Sequence, residues 1–130
     1  MPLYDQLASF EQLLIQLKRQ LQTSVQEQPT SPPTMNADAQ AVSQSLRQLQ
    51  NQFQAIISAV DSGDIDPKAE QSLMSYQTEA HRRLRLMTIE AMRLQTARQP
   101  QTVERVRSQL KDHLSQVQQF VQAMRREVSE

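Results

Sequence analysis

An all-α fold, an antiparallel four-helix bundle with up-down-up-down connections, is what this sequence predicts, and three observations carry the expectation. Strong helix formers (Gln, Leu, Ala, Arg, Glu, Met) dominate the 130 residues, against a single Gly and no Trp. Four segments repeat apolar residues at alternating intervals of three and four, the spacing that holds a stripe on one side of a helix. Only three breaks, marked by Pro or Gly, separate those segments. A chain of this length supports one domain, spanning 1–130, around one core.

Helix 1 is expected over about 3–27. Leu3, Leu7, Phe10, Leu14, Leu17 and Leu21 form its stripe, Leu13 and Ile15 widen it, and Pro2 suits a first turn. A Pro-rich loop is expected over 28–36, because Pro29, Pro32 and Pro33 lack donors and fix φ. Helix 2 follows over about 37–60, with Asn36 as N-cap and Asp38 in the first turn. Its stripe is Ala39, Val42, Leu46, Leu49, Phe53, Ile56 and Val60.

The break Asp61–Pro67 contains Gly63, suited to a left-handed helix end, and Asp66–Pro67, suited to an N-cap and first helical position. Its three Asp residues lack the spacing of a calcium loop and read as caps. Helix 3 is expected over about 67–97, on Ala69, Leu73, Tyr76, Ala80, Leu84, Met87, Ala91 and Leu94. Leu86, Ile89 and Met92 add apolar residues on its other sides, which predicts a central position, self-association or a partner surface. Helix 4 is expected over about 100–128, on Val103, Val106, Leu110, Leu114, Val117, Val121, Met124 and Val128, with Phe120 beside the stripe. The short turns before helices 3 and 4 predict antiparallel neighbours.

Fourteen basic and 14 acidic residues cancel, so no bulk charge draws the chain to DNA or to a membrane. The halves differ: residues 1–78 hold four basic and eight acidic residues, and 79–130 hold ten and six. The basic half hints at an acidic partner. With no Cys, disulfides, thiolate metal sites and thiol nucleophiles are excluded. The first residues read as no secretory signal, and no apolar run approaches the ~20 residues of a membrane span, so a cytoplasmic protein without membrane contact is expected.

Catalytic patterns are missing. A di-metal carboxylate bundle needs Glu-x-x-His on two helices, yet Thr78 and Leu110 stand three residues before His81 and His113. The two His read as edge-of-core residues, and no cofactor or metal is expected. One Gly excludes phosphate-binding and dinucleotide-binding turns. A non-enzymatic binding role follows. The run His81, Arg82, Arg83, Leu84, Arg85 and the helix 4 residues Arg105, Arg107, Lys111, Arg125 and Arg126 leave a nucleic-acid-associated regulator as the alternative. Against it stand scarce aromatics for base stacking and interleaved acidic residues.

Three stretches, Ser75–Glu79, Arg83–Met87 and Ala91–Pro100, are similar to the PatD-like family, small cyanobacterial proteins that control heterocyst frequency. The resemblance is best over Ser75–Leu110 and looser at Leu3–Tyr4 and Phe10–Leu17. It implies a regulator without enzymatic activity that binds the division protein FtsZ and modulates its assembly. It also implies a link to heterocyst differentiation and a cytoplasmic location at the division site. FtsZ is acidic, which suits the basic half. Tyr76, Gln77, Glu79, Arg85, Gln95, Arg98 and Arg105 are the polar positions the resemblance marks for partner binding, and the Arg cluster adds Arg82 and Arg93. The structural counterpart is that Tyr76, Gln95 and Arg98 tie helices 3 and 4 together.

Overall fold

The computed structural model describes residues 3–27, 32–63 and 65–128, with side chains at 3–21, 40–61, 63 and 65–128. Four helices make up the described chain: α1 Leu3–Glu27, α2 Pro32–Ser62, α3 Pro67–Thr96 and α4 Pro100–Val128. There is no strand among the described residues. Each helix packs on its neighbours in the chain, and α1 meets α4 to close the ring.

The alternating stripes become the core. Leu7, Phe10, Leu14, Leu17 and Leu21 of α1 face Val42, Leu46, Leu49, Phe53, Ile56 and Val60 of α2 in one buried cluster. Leu73, Leu84 and Met87 of α3 and Leu110, Leu114, Val117 and Met124 of α4 complete it. Each fully buried Leu, Phe or Met contributes about 1.5–3 kcal/mol, so these stripes hold the helices together. Phe10 and Phe53 meet inside with ring centroids 5.4 Å apart, tilted by 45°.

Polar pairs stitch the outer seams. Gln20 accepts from Ser45, and Gln52 donates to Ser9, between α1 and α2. Gln50 donates to Thr88, and Gln95 to Ser43, between α2 and α3. Tyr76 packs on Phe120 between α3 and α4, at 6.4 Å between centroids. Arg107, buried on α4, donates to the Leu21 carbonyl of α1 at 3.0 Å.

Four local expectations are corrected. Helix 2 was expected at 37–60 behind a loop over 28–36, but α2 begins at Pro32, so 32–36 are helical and Asn36 lies inside the helix rather than capping it. The reason is that first-turn N–H groups have no partner within a helix, so Pro32 and Pro33 sacrifice nothing there. Residues 28–31 lie outside the described residues. Gly63 does not take a left-handed φ. A Cβ there would stand 2.7 Å from the Ala59 carbonyl oxygen, so close backbone approach is what requires glycine. Asp66 occupies the N-cap position before Pro67, yet its side chain makes no capping bond. Its carbonyl instead accepts from the Glu70 N–H at 2.8 Å. At the other end of α3, Ala97 is the C-cap and donates to the Arg93 carbonyl, one residue inside the expected boundary.

Candidate functional site

The outward face of α3 carries side chains that the core does not use. Four large apolar residues stand exposed among the described residues: Tyr4 at 39%, Met74 at 42%, Ile89 at 50% and Met92 at 61%. Three of them lie on α3. At 3.6 residues per turn, Met74, Ile89 and Met92 fall within about 80° of one another, together with Arg82 and Arg85. That sector is opposite the buried stripe of Leu73, Ala80, Met87 and Leu94. Spacings of three and four place Arg82, Arg85, Ile89 and Met92 in one row. Leu86, the third surplus apolar residue of the sequence, is half-buried.

The guanidinium groups of Arg82 and Arg85 have no hydrogen-bond or ion-pair partner among the described residues. Beside Arg85 a groove of about 410 Å³ opens between α2 and α3, with Phe53, Leu84 and His81 below a rim of Gln50, Asn51 and Gln54. His81 stacks on Phe53 at 6.3 Å, with 17° between the ring planes. Next to the α3–α4 turn, a second groove of about 500 Å³ brings Arg93 and Arg105 together with Thr96, Thr102 and Gln109. Arg93 also pairs with the buried Glu90 at 3.1 Å.

The nine residues marked in the sequence thus separate into groups. Arg82 and Arg85 share the outward face, and Arg93 and Arg105 share the turn groove. Arg98 is exposed in the turn between the helices. Tyr76, half-buried, packs into the α3–α4 seam, and Gln77 and Glu79 are half-buried on the same helix. Gln95 bonds Ser43, so it ties α3 to α2 rather than to α4.

Two polar clusters went unread in the sequence. On the α1–α4 seam, buried Glu11 accepts from Arg125 and, at 2.9 Å, from Gln122. Arg125 also donates to the Tyr4 hydroxyl at 3.0 Å, and its guanidinium lies 5.1 Å from the Tyr4 ring centroid. Burial pushes the Glu11 carboxyl up, but hydrogen bonds from Gln122, Arg125 and Gln118 outweigh it, leaving its pKa below the usual value. On the α3–α4 seam, Arg83 stands 3.3 Å from Nδ1 of His113. Burial and then the Arg83 charge press the His113 pKa down, against the opposite pull of Glu90 and Asp112. Nothing in the local pattern of Glu11 or Glu90 marks them as buried. Their partners are the only signal, and Glu11 finds its partners more than 100 residues away.

His81 and His113 belong to different seams, and no group of three His, Cys, Asp or Glu placed to hold a metal occurs among the described residues. No helix there is long and apolar enough to cross a membrane. No family model, curated protein or solved structure matches the chain. What the arrangement does offer chemically is adhesion: apolar area next to cations that have no partner among the described residues, on one helix face.

Proposed function

We propose that this chain is a non-enzymatic regulator that binds a division protein of the FtsZ class and modulates its assembly, in the cytoplasm at the division site. A link to heterocyst patterning belongs to the same proposal. The observation that carries it is the row Arg82, Arg85, Ile89 and Met92: exposed apolar side chains beside guanidinium groups without a partner among the described residues. Solvent-facing positions of that kind are what a protein partner covers. The row lies within Ser75–Leu110, the stretch that resembles the PatD-like family.

The bundle behind the row is proposed to run up-down-up-down. Support comes from the order of contacts. Ser9 meets Gln52 while Gln20 meets Ser45, and Thr88 meets Gln50 while Gln95 meets Ser43. Tyr76 meets Phe120 while Arg83 meets His113, and Glu11 meets Gln122 while Leu21 meets Arg107. Such a frame seats α3 between α2 and α4 and leaves its outer face to a third partner.

Co-sedimentation tests the function. The chain is expected to pellet with GTP-polymerised FtsZ and to change the amount or bundling of polymer. Absence of the chain from the pellet, with polymer amount and bundling unchanged, overturns the proposal.

A further inference from the structure

We infer that the outer face of α3 seats an acidic amphipathic helix of the partner, a segment with apolar residues along one edge and carboxylates beside them. This rests on the protein-binding role proposed above and names the chemistry of what is bound.

The face sets three conditions on its occupant. First, the occupant brings negative charge. Arg82 and Arg85 are exposed without a partner among the described residues, whereas Arg93 is held by Glu90 and Arg125 by Glu11. Free guanidinium forks take carboxylates in paired hydrogen bonds. Second, the occupant brings apolar side chains at helical spacing. Ile89 and Met92 are three residues apart, and Met is adaptable enough to fit several shapes. Third, the occupant is narrow. From Arg82 to Met92 the row is ~15 Å long at 1.5 Å per residue, and one helix is ~10 Å wide. That is far short of the ~800 Å² per partner of a standard interface between folded proteins. One helix of about ten residues matches it, laid along α3 as helices are laid on apolar surfaces elsewhere. The groove beside Arg85 extends the seat toward Phe53 and Leu84.

A second copy of this chain fits less well. Two such faces brought together in parallel set Arg82 and Arg85 against another Arg pair, and brought together antiparallel they set the guanidinium groups against Ile89 and Met92, with no carboxylate in the row to receive them in either case. A nucleic acid would use the guanidinium groups but leave Ile89 and Met92 idle.

The test is fluorescence anisotropy of the full chain with a labelled 16-residue helical peptide of Leu and Glu, with Leu at i, i+3, i+4 and i+7. A peptide with Lys in place of each Glu is the control. The acidic peptide should bind, the Lys peptide should not. Arg82→Glu with Arg85→Glu, and separately Ile89→Ser with Met92→Ser, should each weaken binding tenfold or more. All four positions are solvent-facing or unpaired, so circular dichroism should show the fold retained. Equal binding of both peptides, or binding that neither double variant weakens, overturns the inference. So does a concentration-dependent dimer abolished by Ile89→Ser with Met92→Ser, which gives the face to a second copy. Oligonucleotide binding lost only in the Arg variant overturns it too. The two proposals fail separately. Peptide binding without FtsZ co-sedimentation keeps the surface and removes the division protein. FtsZ co-sedimentation untouched by both double variants keeps the division protein and removes the surface.

Discussion

Replacing Glu11 by Gln keeps the shape of the side chain and removes its charge, which should loosen α4 from α1. The side chain is 9% exposed and its partner Arg125 is 31% exposed. Breaking a fully buried pair costs about 3–5 kcal/mol, and a surface pair about 0–1. With one partner buried and the other a third open to water, about 2 kcal/mol is the expected loss. For a chain of this size, 1 kcal/mol moves the midpoint of melting by about 4 °C, so Glu11→Gln should melt about 8 °C lower at neutral pH. The sign with pH follows from the lowered carboxyl. Its contribution is fully present above the ordinary value of 4.5 and is lost as pH falls through the lower, folded pKa. The gap between the two proteins should therefore close in acid. Thermal melts followed by circular dichroism from neutral pH to about pH 3 test this. Melting within about 2 °C at neutral pH, or a gap that persists undiminished in acid, refutes it.

Further outcomes are expected at His113 and at Gly63. The His113 ring should titrate below its ordinary value of 6.5 by NMR, and Arg83→Gln should raise that midpoint because a facing cation is removed. Since folded His113 resists the proton that the unfolded chain accepts, it lowers stability as pH falls below that ordinary value. His113→Gln should flatten this part of the stability profile. Gly63→Ala should cost about 1–2 kcal/mol in denaturant unfolding, because the added methyl meets the Ala59 carbonyl and, at 3.3 Å, the Ile65 side chain. An unchanged midpoint would mean that the turn shifts freely.

Helix existence and core were readable because each depends on local periodicity alone. Phe53 and Leu110 are core residues by spacing, and both are buried. The start of α2 was not readable. Pro32 and Pro33 forbid a helix interior but suit a first turn, and only the continuation of the helix decides which applies. Glu11, Glu90 and Arg107 escaped for a different reason. A charged side chain beside a stripe is ordinarily solvated, and what buries these three is a partner on another turn or helix, such as the Leu21 carbonyl for Arg107. Of the surface, the apolar surplus at Ile89 and Met92 was legible from composition around the helix. That Leu86 would be half-buried while Ile89 and Met92 stand exposed, and that Gln95 would reach α2, depends on how α3 is rotated in the bundle.

The two ends of α3 have opposite electrical character. The chain segment 61–70 at its start holds Asp61, Asp66 and Glu70 against one cation, Lys68, with Arg125 and Arg126 in the last turn of the neighbouring α4; the segment 93–105 at its end holds Arg93, Arg98 and Arg105 against one anion, Glu104. The 30 residues between them span ~45 Å. Screening at physiological salt acts over about 8 Å, so an approaching molecule senses one pole and not the sum. Zero net charge therefore does not make encounters indifferent to orientation. An acidic partner is drawn first to the Arg-rich end, before any surfaces touch, and raising the salt should slow its arrival more than it hastens its departure.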